Sequence, residues 1–356
     1  ILKALVDSLA GTLMTADAAA WFGAFSSQPY SVIPYHIIVV GGTLLTLFLG
    51  AHSIEKTNKV MMPLFFIIFV VLAVRVALLP GSAEGYKFMF TPRWEALKDP
   101  MIWVWAMGQA FFSLSVTGSG MIVYGAYLSK DEDVVDVAQH TALFDTIAAV
   151  VAALVIIPAC FSYGQDVGAG PGLLFVTLQD VFNAMGTAGP LFGVIFYLLV
   201  LIAAISSAIS LVEVVATFFL DRAAEKGKTG NRNKIVLIIC LAITVEAVLV
   251  AVDGLGSNGL WVPGQATFGI NNWNDNWLDF MDMMSEGIAM PLGALLMSLM
   301  VAWEVKPKTI LEEVRQGCSA KIDLFYKLCI YIVTPVGMIL VLLGQLNDFG
   351  FIHIFG

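Results

Sequence analysis

Residues 111–120 read FFSLSVTGSG in the middle of a long apolar stretch. Glycine costs about 1 kcal/mol relative to alanine inside a helix, and Ser and Thr compete for backbone hydrogen bonds. Grouped this way, they favour local unwinding. Backbone released at membrane depth must face protein or a wet cavity, where freed carbonyls and hydroxyls bind ions and polar groups. Tight helix packing through small residues explains the same composition, and the residues alone leave both readings open. A second oxygen-rich stretch is IAAISSAISLVE at 202–213, where Ser206 and Ser210 share a helix face. Hydroxyls beside a carbonyl form a hard-oxygen donor set of the kind alkali and alkaline-earth ions prefer. A small-residue packing seam is the plainer alternative and the one composition favours. Asp145, in HTALFDTIAAVVAALVIIPA, puts a carboxylate in an apolar run. There a charge needs a partner, a water path or a route to the surface by snorkelling. Glu213 and Arg75 raise the same question. Asp279 and Asp282, in NWLDFMDMM, are either solvated surface or part of a gate.

Nucleophilic chemistry fits poorly. Ser119 lies between glycines, but a serine nucleophile needs a base within hydrogen-bond reach. Of His36, His52, His140 and His353, only His36 falls clearly within an apolar span. The four cysteines, Cys160, Cys240, Cys318 and Cys329, lack CxxC spacing and read as small buried hydrophobes. The chain is read as no enzyme.

These residues require membrane helices to position them. Of 356 residues, 59% are hydrophobic and 13% charged, against about 45–50% and about 25% in a soluble domain. Long unbroken apolar runs favour helices over a barrel. Eight spans are expected, at 32–50, 61–80, 101–128, 142–162, 190–220, 235–252, 278–304 and 324–345. GPGLLFVTLQDVF, at 170–182, is too short to span and reads as a loop helix on or re-entering the membrane surface. The loops at 51–60, 129–141, 221–234 and 305–323 carry 12 Lys and Arg, and the opposite loops carry 4. The positive-inside rule places the first set in the cytoplasm, and both chain ends outside. An odd number of spans is then expected before residue 1. The opening ILKALVDSLAG, without an initiator Met, reads the same way. Without a basic tract, nucleic-acid binding is not expected.

Several collinear stretches resemble the neurotransmitter:sodium symporter family. GQAFFSLS followed by YGAYL is similar to the sixth family helix, and AAISSAISLVE to the eighth. NKVMMPLFF and TPRWEALKDPMIW resemble the fifth helix and the loop leading to the sixth. GAGPGLLFVTL resembles the outer lid loop, and YIVTPVGMIL the eleventh helix. The resemblance covers essentially the whole chain. It implies an all-α integral membrane protein with a LeuT-like inverted-repeat fold, here family helices four to eleven. Residues 1–356 form one transporter domain, with the end of the third helix and an extracellular loop at 1–31, the second five-helix repeat at 101–304 and the extracellular lid at 163–189. The first three helices are expected to precede residue 1. The first contributes to both sodium sites in the family, so transport is expected of the longer protein.

The resemblance implies two sodium ions and no organic cofactor. Ser113 and Asp145 match the first sodium site. Asp145 stands where the family usually has Asn, and its fixed charge is expected to make chloride unnecessary. Ala203 (through its carbonyl), Ser206 and Ser207 match the second site. Phe112, Ser113, Ser115, Val116, Gly118, Ser207 and Leu211 are the implied substrate residues. The carbonyls of Phe112 and Ser113 and the Ser115 hydroxyl would hold an ammonium group. Gln109, Phe112 and Asp282 are the implied outer gate. Gly118 replaces a common Phe, which enlarges the pocket and points to a hydrophobic or aromatic neutral amino acid. The expected function is sodium-coupled, chloride-independent symport of such an amino acid by alternating access, in a bacterial plasma (inner) membrane. Another small amine or zwitterion, a solute sensor of the same fold and a channel are alternatives. Oligomeric state is left open.

Overall fold

The computed structural model describes residues 1–49, 52–116, 120–129, 132–168, 170, 172–263, 276–317 and 322–354. Among these residues the structure is helical and has no strand. In chain order the helices are α1 (Leu2–Leu9), α2 (Ala18–Ser27), α3 (Ile33–Leu49), α4 (His52–Ala77), α5 (Ser82–Phe90), α6 (Pro100–Ser113) and α7 (Gly120–Tyr127). They are followed by α8 (Val134–Tyr163), α9 (Leu178–Asn183), α10 (Gly189–Glu225), α11 (Arg232–Asp253), α12 (Trp277–Val305), α13 (Pro307–Gly317) and α14 (Asp323–Asp348). A turn of π geometry, Leu173–Thr177, leads into α9.

Among the described residues six helices are long and apolar enough to cross a membrane, and each coincides with an expected span. The 32–50 span is α3, an apolar helix of 17 residues. The 101–128 span is split into α6 and α7. Local sequence sets several ends. Asp99 accepts from the Met101 amide at 2.9 Å, with Pro100 as the first helical residue. Asn231 and Asn276 cap α11 and α12 in the same manner. Gly254 ends α11 in the left-handed region, with φ 60°.

The described residues form two compact units. The first comprises Ile1–Pro92 and Ile147–Leu260. Its core is aromatic and aliphatic: Leu72, Val76, Val155, Leu178, Phe182, Phe196 and Tyr197 are all fully buried. The loop helix at 173–183 packs its apolar residues against protein, with Leu178, Val181 and Phe182 in this core. Two polar residues of the spans also find partners in this unit. The Arg232 guanidinium pairs with Glu213 at 2.7 Å and donates to the Leu47 carbonyl at 2.9 Å, joining α3, α10 and α11. Arg75 donates to the Ala184 carbonyl at 2.9 Å.

The second unit comprises Arg93–Thr146 and Trp261–Gly356. Met338, Val341 and Ala294 form its buried centre, packed by Met107, Phe111 and Leu295. Helix α12 widens to π geometry at Met283–Ala289. Such bulges re-aim side chains and are frequent at functional sites.

Candidate ion and substrate site

The polar patch at 111–120 does break the helix. Helix α6 ends at Ser113, Leu114 is its cap and Ser115 takes φ 55°. The Val116 amide donates back to the Phe111 carbonyl at 3.1 Å, and the Ser115 amide to the Phe112 carbonyl at 2.9 Å. This pair of bonds is a Schellman termination, in which the left-handed position is usually glycine. A serine there costs on the order of 1–3 kcal/mol, and such strain tends to gather at functional sites. The Phe112 carbonyl already accepts one bond, so an ammonium group would use its second lone pair. Thr117, Gly118 and Ser119 lie outside the described residues, and with them the expected enlargement of the pocket at Gly118.

The break places Ser113 against Asp145. The Ser113 hydroxyl is 2.7 Å from one Asp145 carboxylate oxygen and 2.8 Å from the other. The hydroxyl proton points to the carboxylate, which leaves the serine lone pairs free for a cation. Both groups are partly buried, and both belong to the second unit.

The three expected gate residues also meet within this unit. Gln109 and Phe112 from α6 line a cavity of about 370 Å³ with Asp282 from α12. Gln345 and Phe349, at the end of α14 and just beyond it, complete the wall with Trp105. Phe112 is 46% exposed and Val116 37% exposed, so neither is spent on core packing. The sequence reading missed Glu286, a second carboxylate in this cavity, one turn from Asp282. Its spacing from Asp282 was the available signal. Asp279, by contrast, is tied to the α12 cap, where its amide and carboxylate both engage Asn276 at 2.9 Å.

The remaining predicted residues lie on α10 in the first unit. The Ser206 hydroxyl donates to the Ala203 carbonyl at 2.8 Å, bringing two predicted ligands of the second sodium site into contact. Ser210 donates to the Ser206 carbonyl at 2.9 Å. Ser207 is exposed, and Leu211 is 66% exposed. Among the described residues no cluster of three or more His, Cys, Asp or Glu side chains could hold a metal. The oxygen atoms at both places are hydroxyls, carbonyls and a single carboxylate, donors of the kind hard cations take.

The sequence profile described as the Sodium:neurotransmitter symporter family matches residues 30–353. The chain belongs to this family. The symporter is accordingly a sodium-dependent, multi-pass membrane transporter and not an enzyme. It is 30% identical over 354 residues to an uncharacterized sodium-dependent transporter, YhdH, of Bacillus subtilis, covering 99% of this chain and 74% of the relative. It is 21% identical over 306 residues to sodium-dependent nutrient amino acid transporter 1 of Drosophila melanogaster, covering 83% of this chain and 44% of the relative. Among solved structures, it is similar to MhsT in complex with L-phenylalanine, with a TM-score of 0.84 and 29% identity, covering 97% of this chain and 75% of that one. The LeuT-like fold expected from sequence is the fold observed.

Proposed function

We propose that the symporter couples sodium entry to uptake of a neutral, hydrophobic or aromatic amino acid, without a need for chloride. The observation that carries this reading is the Ser113–Asp145 pair at the broken end of α6. A fixed carboxylate beside a hydroxyl supplies in the protein the negative charge that an exchangeable anion would otherwise bring. Asp145 and Ser113 are assigned to a first sodium ion. The Ala203 carbonyl, Ser206 and Ser207 are assigned to a second, on the family resemblance and on the contact between Ser206 and Ala203.

Phe112, Ser113, Ser115, Val116 and Gly118, with Ser207 and Leu211, are assigned to the substrate. The phenylalanine bound to MhsT supports an aromatic substrate class. The wide exposure of Phe112 leaves apolar surface for such a side chain to cover. The second lone pair of the Phe112 carbonyl and the Ser115 hydroxyl would receive the ammonium group. Gln109, Phe112 and Asp282 would form the outer gate, because they line one cavity. In the cycle, sodium stabilises the outward-open state and substrate favours closure. Each ligand acts only through its different affinity for the two states. The assigned setting is a bacterial plasma membrane.

The test is equilibrium binding of radiolabelled L-phenylalanine to the purified full-length transporter in sodium and in potassium, with competition by unlabelled amino acids. Displacement by tryptophan or leucine but not by glycine or glutamate is expected. Displacement by glycine alone would contradict the assigned substrate class.

A further inference from the structure

A wall of the outer cavity depends on a glycine. Gly287 is buried within the π turn of α12. A Cβ added there would run into the edge of the Phe349 ring, overlapping Cε2 and standing 3.0 Å from Cζ. Ordinary carbon contacts are about 3.5–4.0 Å. The ring edge therefore rests on the α12 backbone, an approach that only glycine permits. The chain carrying the ring is tied down. The Phe349 amide donates to the Gln345 carbonyl at 2.9 Å, and the Phe351 amide to the Leu346 carbonyl at 2.9 Å. Asp348, the residue before Phe349, accepts from Trp105 Nε1 of α6 at 2.6 Å. Phe349 and Gly287 line the cavity of about 370 Å³ together with Gln109 and Phe112 of α6. A methyl group at position 287 has to push the ring off α12, and the open space that the ring borders is the cavity.

We propose that Phe349, seated on Gly287, is the size-determining wall of the outer cavity. With the ring drawn back, the cavity passes an amino acid with an aromatic side chain; with the ring displaced, only smaller ones pass. The inference rests on the assigned substrate class and on this cavity being the outer entrance. One methylene against an apolar wall discriminates between substrates by about 10–200-fold. The low end is expected here, because the outer torsion of a Phe side chain is soft and a displaced ring can tilt. A wall on the route slows entry and exit alike, so it sets rates and leaves the equilibrium affinity of the site beyond it unchanged.

The test is chemical modification of Gln109→Cys in the full-length protein in lipid, in a background without other reactive cysteines. Two neutral thiol reagents of different size are compared, methyl methanethiosulfonate and benzyl methanethiosulfonate. Gly287→Ala is expected to slow the benzyl reagent about tenfold relative to the methyl reagent. In a Phe349→Ala background there is no ring to displace, and Gly287→Ala is expected to have no effect. A rate ratio that Gly287→Ala leaves unchanged, or changes equally with and without the Phe349 ring, overturns the proposal. Association and dissociation of labelled tryptophan and leucine are then followed in sodium. Gly287→Ala is expected to slow both steps for tryptophan about tenfold, with the dissociation constant and the leucine rates unaltered. Unchanged tryptophan rates would overturn the role in substrate entry. If the parent binds no amino acid in sodium, the substrate reading fails, while the reagent rates still decide whether Phe349 is the wall.

Discussion

Replacing Asp145 by Asn changes charge while keeping shape. The amide oxygen can still accept the Ser113 hydroxyl, whose contacts with the carboxylate are 2.7 and 2.8 Å. What is lost is one negative charge beside the assigned sodium ion. Two unit charges about 4 Å apart interact by about 4 kcal/mol at an effective dielectric of about 20. Asp145 is only partly buried, and solvent screening reduces that to about 2 kcal/mol, an order-of-magnitude figure. Since about 1.4 kcal/mol is tenfold, sodium affinity falls roughly 30-fold. The half-saturating sodium concentration for substrate binding, measured on full-length protein in chloride-free gluconate, is the readout. Chloride restores part of the loss in D145N and changes nothing in the parent. An unchanged sodium requirement in D145N, or a parent that itself needs chloride, refutes the reasoning.

Four further outcomes follow from the same geometry. Ser206→Ala, which removes a hydroxyl bonded to the Ala203 carbonyl at 2.8 Å, weakens sodium-dependent binding by about tenfold, the equivalent of one lost ligand of roughly 1.4 kcal/mol; an unaltered sodium titration would return this pair to helix packing. Gly189→Ala drives a methyl group into the Phe182 backbone oxygen, and overpacking of this kind costs about 1–3 kcal/mol or more, read as a lower unfolding temperature in detergent. Glu213→Gln breaks the 2.7 Å pair with Arg232 but leaves the bond from Arg232 to Leu47, so a loss near 1 kcal/mol is expected, with substrate affinity unchanged. Asp180 has its pKa raised by burial and, less strongly, by Asp17. The folded state therefore holds the Asp180 proton to higher pH than the unfolded chain does. Its contribution to stability grows as pH falls from above the folded value toward the ordinary carboxylate range. Asp180→Asn flattens that part of the pH–stability curve and raises stability at neutral pH; a curve identical to that of the parent contradicts the sign.

Particular residues show how much was legible in advance. The helix break was one of two readings open in the sequence: Ser, Thr and Gly between 113 and 120 oppose helix formation, and the same small residues also suit close helix packing. The structure ends α6 at Ser113 with Ser115 in the left-handed region. The meeting of Ser113 with Asp145 was not readable from spacing. The residues are 32 apart, and only the family resemblance joined them. Glu286 was missed for a different reason: Asp279 and Asp282 drew attention as a pair, while the cavity selects Asp282 and Glu286.

The central claim, that a sodium ion held at Ser113 and Asp145 drives uptake without chloride, is tested most directly in proteoliposomes. Full-length protein is reconstituted, and initial uptake of radiolabelled phenylalanine is measured with sodium or potassium outside, each with chloride or gluconate. Uptake is expected in both sodium conditions at equal rates and in neither potassium condition. Uptake that requires chloride in addition to sodium, or that proceeds equally in potassium, would contradict the account.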